Sequence, residues 1–89
     1  MKAIVTVVGK DKVGIIAAVC TELAAYNINV LDISQTVMQG YFTMMMAVDT
    51  SAGKVPFAQL VQLLEQKGKE MGLSIRLQRE DIFEAMHRV

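Results

Sequence analysis

Four strand-forming segments, two almost continuously apolar and two alternating, restrict this chain to very few folds. The apolar segments, residues 2–8 and Tyr41–Asp49, are typical of strands that are covered on both faces. In residues 28–39 and 73–80, apolar and polar residues alternate, which is typical of strands with one face in water. The apolar pair therefore belongs in the centre of a sheet, and the alternating pair at its two edges.

Two helical patterns separate these strands. The first is predicted over residues 14–26, and its first turns are apolar nearly all round, which favours a second subunit against it. Pro56 and Gly72 mark the start and the end of the second helix. The core-facing stripe predicted for the first helix is Ile16, Val19, Cys20 and Leu23.

The order β-α-β-β-α-β predicts an α+β, ferredoxin-like sandwich. Its antiparallel sheet has the order 4-1-3-2, with strand 2, whose sequence carries no proline or bulge signal, at one edge. Right-handed crossovers bring both helices to one face. The 89 residues make a single domain, residues 1–89, of which 81–89 form a short tail with one or two helical turns. We expect Ile82, Phe83 and Met86 to pack onto the sheet face that the helices leave bare.

The composition of the chain limits the kinds of binding partner that we expect. An apolar fraction of 53% is high for so small a protein, so part of that surface is expected to face a second copy of the chain. Nine basic residues balance nine acidic ones, which predicts neither a nucleic-acid nor a membrane partner. With Cys20 as its one cysteine, the chain has no disulfide or thiolate metal site, and we expect a cytoplasmic location.

The other functions that a ferredoxin-like fold supports need residues that this chain lacks. RNA binding needs exposed aromatic residues on strands 1 and 3, and the two strands offer Tyr41 and Phe42 alone. Metal carriage needs paired cysteines in the loop after strand 1, and acyl-phosphate hydrolysis needs an arginine there. The loop has neither, and we expect no catalytic residue, metal or cofactor, with Cys20 read as a buried apolar residue and His87 as part of the tail.

The loop after the first strand carries a recognisable motif. Residues 9–15 read GKDKVGI, then Leu23 follows in the helix, and Ile28-Asn29-Val30 begins the second strand. This combination resembles the signature of ACT domains, G-x-D-x-x-G-[IVL], leucine and I-N-[IV]. The sequence DISQT at residues 32–36 adds to the resemblance, which is closest to small stand-alone bacterial ACT proteins akin to the glycine-cleavage regulator. Many of those relatives have Arg-Pro where this chain has Lys12-Val13.

The resemblance implies a regulatory homodimer, not an enzyme, that binds an amino acid or related small metabolite at its subunit interface. A helix N-terminus attracts a carboxylate, and glycine lets a ligand approach the backbone. Asp11 either pairs with an ammonium group or only caps the helix, and Asn29, from the facing subunit, either binds the ligand or satisfies its own backbone. The predicted ligand residues are Asp11, Lys12, Val13, Gly14, Ile15 and Asn29.

The same sequence fits a second hypothesis. In it the fold is a protein–protein interaction module that docks a regulated protein, and the ligand site is vestigial. Both hypotheses need the same apolar interface, so the sequence pattern does not separate them.

Overall fold

A computed structural model describes residues 1–86 of this chain. His87 and the end of the predicted tail lie outside the described residues. The elements, in chain order, are β1 Lys2–Lys10, α1 Ile15–Ala25, β2 Asn29–Met38, β3 Tyr41–Asp49, α2 Phe57–Met71, β4 Ser74–Arg79 and α3 Glu80–Met86.

The four strands form one antiparallel sheet in the order β2-β3-β1-β4, with α1 and α2 on one of its faces. The predicted fold class and strand order are therefore confirmed, and the two apolar strands are the central ones. Strand β1 is two residues longer than predicted, because Gly9 and Lys10 still pair with Phe42 and Tyr41 of β3. The loop before α1 is correspondingly shorter.

A single apolar core fills the space between the sheet and the two helices, and the described residues bury no polar side chain in it. Alternate residues of the central strands point into this core, as the pleat of a strand requires. The buried residues are Ala3, Val5, Val7, Ile15, Val19, Leu23, Ile28, Phe42, Met44, Met46, Val48, Leu60, Leu64, Leu73, Ile75 and Leu77.

The stripe predicted for the first helix is confirmed at Val19 and Leu23, but its innermost third member is Ile15. Ile15 is buried together with Val19 and Leu23, whereas Ile16 and Cys20 are half-buried at the edge of the core. The reason is that the innermost row of α1 follows the i, i+4, i+8 spacing from the first helical residue. Cys20 is a free, partly exposed thiol and not the fully buried residue that the sequence predicted.

The edge strand β2 differs most from its prediction. Its pairing with β3 shifts register between Val30 and Asp32, so that Leu31 bulges out of the ladder, and the expectation of a bulge-free edge was wrong. After the bulge, Ile33 and Val37 pair with Met46 and Phe42, whose side chains face the helices. Although α1 lies against β2, Ile33 and Val37 are still 41% and 54% exposed.

The tail begins with a helix that follows β4 directly. Helix α3 lies against β1 and β4, with Phe83 half-buried. Ile82 is 46% exposed, so this part of the predicted tail packing is absent from the single chain. No helix among residues 1–86 has the length and apolar character needed to cross a membrane.

Candidate functional site

A cleft of about 410 Å³ lies between the start of α1 and the edge strand β2. One side consists of Asp11, Lys12 and residues 14–17, and the other side of Gln35, Val37 and Phe42. Its volume falls in the range of small-molecule sites, about 300 to 1,000 Å³. The cleft is open along β2, where the sheet ends.

The backbone at the start of α1 is free to bind a ligand. Gly14 is the N-cap residue, with φ 89° and ψ 4°, and no side chain caps the helix. The first bond of the helix runs from the Ala18 N–H to the Gly14 carbonyl, 2.9 Å, which leaves the preceding N–H groups of the first turn without a helical acceptor. Unpaired N–H groups and the positive end of the helix dipole both favour an anion.

Asp11 does not cap this helix, so the capping role allowed by the sequence is wrong. Its backbone N–H donates to the Gly40 carbonyl, 2.8 Å, in the turn between β2 and β3. That bond continues the pairing of β1 with β3 and carries Asp11 away from the helix axis. The Asp11 carboxylate lines the cleft, where the second predicted role, pairing with an ammonium group, stays a prediction.

Lys12 and Val13 are both predicted ligand residues, and the motif alone did not indicate where their side chains lie. The Lys12 ammonium group donates a hydrogen bond to the Met71 carbonyl at the end of α2, next to the C-cap residue Gly72. A cation is stabilised at this negative end of a helix. Val13 is fully exposed and does not line the cleft, while Ile15 lines it from a buried position.

Within one chain, Asn29 does not lie near the cleft. It is the first residue of β2 and pairs with Asp49, whereas the cleft lies beside the last residues of β2. A strand rises about 3.3 Å per residue, so the ten residues of β2 separate the two ends by roughly 30 Å. The predicted residues thus fall into two groups at opposite ends of the edge strand.

Sequence reasoning missed the side of the cleft that β2 and β3 supply. Gln35, Val37 and Phe42 face the same side of the sheet as the helices, because Val37 pairs with Phe42 and Gln35 with the buried Met44. One indication was present in the sequence. Gln35 has the same phase as the apolar residues Ile33 and Val37, so a polar side chain stands where the alternation predicts an apolar one.

The edge strand β2 exposes four apolar side chains. Leu31, Ile33, Val37 and Met38 are between 41% and 68% exposed. One side of this strand pairs with β3, while the backbone groups on its other side face outward. An exposed, apolar edge strand is a template for pairing with another chain.

Charged groups also lie away from this cleft, but they do not form a metal site in the described part of the chain. Among residues 1–86 no three His, Cys, Asp or Glu side chains come close enough to hold a metal ion. At the far end of β3, hydrogen bonds from the Ser51 hydroxyl, 2.6 Å, and the Ser51 N–H, 2.9 Å, lower the pKa of the Asp49 carboxyl. Asp49 lies at the same end of the sheet as Asn29 and away from the cleft.

Comparisons with known proteins give a consistent result. A family model described as ACT domain matches residues 2–78. A UPF0237 protein of Clostridium acetobutylicum is 57% identical over 89 residues, covering 100% of both chains. The solved structure of an ACT domain protein from Streptococcus pneumoniae superposes with a TM-score of 0.83 at 47% identity, covering 98% of each chain. The regulatory subunit of aspartate kinase from Thermus thermophilus is 30% identical, with a TM-score of 0.68, over 89% of this chain and 51% of that one.

Proposed function

This chain belongs to the ACT domain family, and on that premise we propose that it is a cytoplasmic homodimer that senses an amino acid or a closely related metabolite. ACT domains are ligand-binding regulatory modules. The proposed role is regulatory and not catalytic. The observation that carries it is the uncapped start of α1, which opens into a cleft of about 410 Å³.

The cleft provides complementary groups for the two charged ends of an amino acid. The N–H groups of the first turn of α1 are placed to bind a carboxylate, and Gly14 leaves them accessible because it has no side chain. The Asp11 carboxylate at the end of the cleft is available for an ammonium group. Gln35 adds a neutral amide that both donates and accepts hydrogen bonds.

A second copy of the chain completes this site. Two β2 strands related by a two-fold axis pair antiparallel, with the same residues on both sides of the interface. If the ten residues pair end to end, the backbone of Asn29 of the partner subunit lies opposite Met38, one residue from Val37. Both Met38 and Asn29 lie on the sheet face away from the helices, so the Asn29 amide has to reach a ligand around the strand edge. This pairing satisfies the unpaired backbone groups of β2 and brings the far end of the partner's strand next to the cleft.

A thermal-shift screen against the free amino acids tests the proposal. A ligand at one hundred times its dissociation constant adds about 2.7 kcal/mol to the free energy of unfolding. For a chain of this size, that raises the melting temperature on the order of ten degrees. Light scattering on the same samples is expected to give the mass of a dimer.

Two variants locate the site. Asn29→Ala is expected to fold normally and to lose most of the ligand-induced shift, because it removes the amide that the partner subunit supplies. Ser34→Ala is the matched control, since Ser34 lies on the same exposed strand but does not line the cleft at α1. It is expected to keep the full shift.

Each contrary result has a definite meaning. A monomeric mass at tens of micromolar protein contradicts the interface, and an unchanged shift in Asn29→Ala contradicts the role of that residue. A dimer that responds to no amino acid contradicts ligand sensing. That last outcome supports the alternative, in which the exposed apolar surface docks another protein.

A further inference from the structure

The apolar walls of the cleft, rather than its charged end, determine which amino-acid side chain it accepts. Its apolar part is formed by Ile15, Ile16 and Ala17 of α1 together with Val37 and Phe42, and Ile16 faces Val37 and Phe42 across it. Val37 is 54% exposed although it faces the helix side of the sheet, whereas its cross-strand partner Phe42 is only 4% exposed. An apolar wall therefore stands open beside the start of α1, at the place where the side chain of a bound amino acid has to lie.

The charges lining the cleft exclude most other side chains. Lys12 is the one cation among the lining residues, and its ammonium group is bound to the Met71 carbonyl at the end of α2. An acidic ligand side chain would therefore find no free cation in the cleft. A basic side chain would compete with the ligand's own ammonium group for Asp11, the one lining carboxylate. Burying a charge without a partner is costly, so both classes are disfavoured.

We propose that the ligand of this chain is an amino acid with a neutral, aliphatic side chain, which packs on Ile16, Val37 and Phe42. The inference rests on the proposed function, because it assigns the ligand class of the same site. Gln35 does not change this assignment. A single amide is enough to satisfy one more polar group of the ligand backbone, while the remaining wall offers no hydrogen bond donor or acceptor from its side chains.

Isosteric ligand pairs measure this preference directly. Valine and threonine have nearly the same shape, as do leucine, asparagine and aspartate, so differences within each set report polarity and charge rather than size. Isothermal titration calorimetry of the dimeric protein is expected to show binding at least about tenfold tighter for valine than for threonine. Leucine is expected to exceed asparagine by at least the same factor, with aspartate the weakest of its set.

The variant Val37→Thr tests whether the wall causes the preference. It replaces one methyl group by a hydroxyl of similar size, and the loss of one apolar contact corresponds to about a fourfold change in affinity. The preference for valine over threonine is expected to narrow by about that factor. Ile33→Thr is the control, because Ile33 is exposed on the same face of β2 but lies outside the cleft. It is expected to leave the preference unchanged.

The outcomes separate this inference from the proposed function. Tighter binding of threonine, asparagine or aspartate than of their aliphatic isosteres overturns the inference, while ligand sensing itself stands. An unchanged preference in Val37→Thr, with the dimer mass retained by light scattering, also overturns it. Absence of binding for every amino acid overturns the proposed function first.

Discussion

Gly14 allows the backbone and ligand roles of the α1 start to be measured separately. Its φ of 89° lies in the left-handed region, where a side chain is disfavoured by roughly 1 to 2 kcal/mol. A Cβ added at Gly14 would meet no heavy atom within 4 Å, so no steric clash adds to that cost. The destabilisation expected for Gly14→Ala is therefore purely conformational.

The magnitude follows from two opposing effects. Alanine also restricts the unfolded chain, which offsets the left-handed cost by about 0.4 to 1 kcal/mol. The net loss is about 1 kcal/mol, which for a domain of this size lowers the melting temperature by about 4 to 8 °C. Ligand binding should suffer more, because the new methyl group stands beside the N–H groups that a carboxylate has to approach.

Gly40 provides the matched control. It has a φ of 81° in the turn between β2 and β3, and a Cβ added there also meets nothing within 4 Å. Gly40→Ala therefore carries the same conformational cost but does not place a methyl group among the residues that line the cleft. Both variants are compared by thermal shift at equal protein concentration, with and without the ligand that stabilises the wild type.

Similar losses of melting temperature are expected in the two variants without ligand. With ligand, Gly40→Ala should keep its shift, and Gly14→Ala should lose it. A full ligand shift in Gly14→Ala would refute the assignment of the carboxylate to the start of α1. A much larger loss of stability in Gly14→Ala than in Gly40→Ala would contradict a purely conformational cost at Gly14.

Two further predictions concern the scaffold. Gly68→Ala should lower the free energy of unfolding, measured in urea, by about 1 to 2 kcal/mol, because its Cβ would come within 2.7 Å of the Leu73 carbonyl oxygen. This loss is expected although alanine is the better helix former by about 1 kcal/mol. Gln66→Ala on the exposed side of α2 is the control, and an equally stable Gly68→Ala would contradict the close packing of α2 on β4. Hydrogen bonds from Ser51 lower the pKa of Asp49, so this carboxylate contributes stability above its ordinary pKa of about 3.9 that is lost as the pH falls through the lowered value. Ser51→Ala should move the Asp49 pKa back toward its ordinary value in an NMR titration, and an unmoved pKa would contradict the hydrogen-bond cause.

The strand order could be predicted from the sequence because burial leaves a direct record in each strand. The nearly continuous apolar runs at residues 2–8 and Tyr41–Asp49 are the two central strands. The pattern of each segment therefore indicated whether the strand is central or at an edge, and the strand order could be predicted without long-range information. The expectation that both faces of the central strands are covered was wrong, because the helices cover one face and Tyr41 and Met45 stay exposed on the other.

The bulge at Leu31 left no comparable record. One extra residue in a strand leaves the local composition unchanged, and it alters which residues share a face only after that point. Gln35 and Val37 were not assigned to the cleft, because the alternation gives their common face but not the position of the start of α1 beside them. The role of Lys12 was hidden for a different reason, since its partner, the Met71 carbonyl, lies far along the chain and is a backbone atom that any residue would supply.

The position of the cleft has a consequence for regulation. The cleft opens along β2, and β2 is also the exposed apolar edge of the sheet. A ligand that contacts both the start of α1 and a residue of the partner subunit must bind the paired state more tightly than the single chain. By reciprocity, the ligand then strengthens pairing by the same factor by which pairing strengthens ligand binding. In the proposed dimer, ligand binding and assembly use the same edge of the sheet, so ligand concentration would change the exposed surface through pairing alone, without a moving lid.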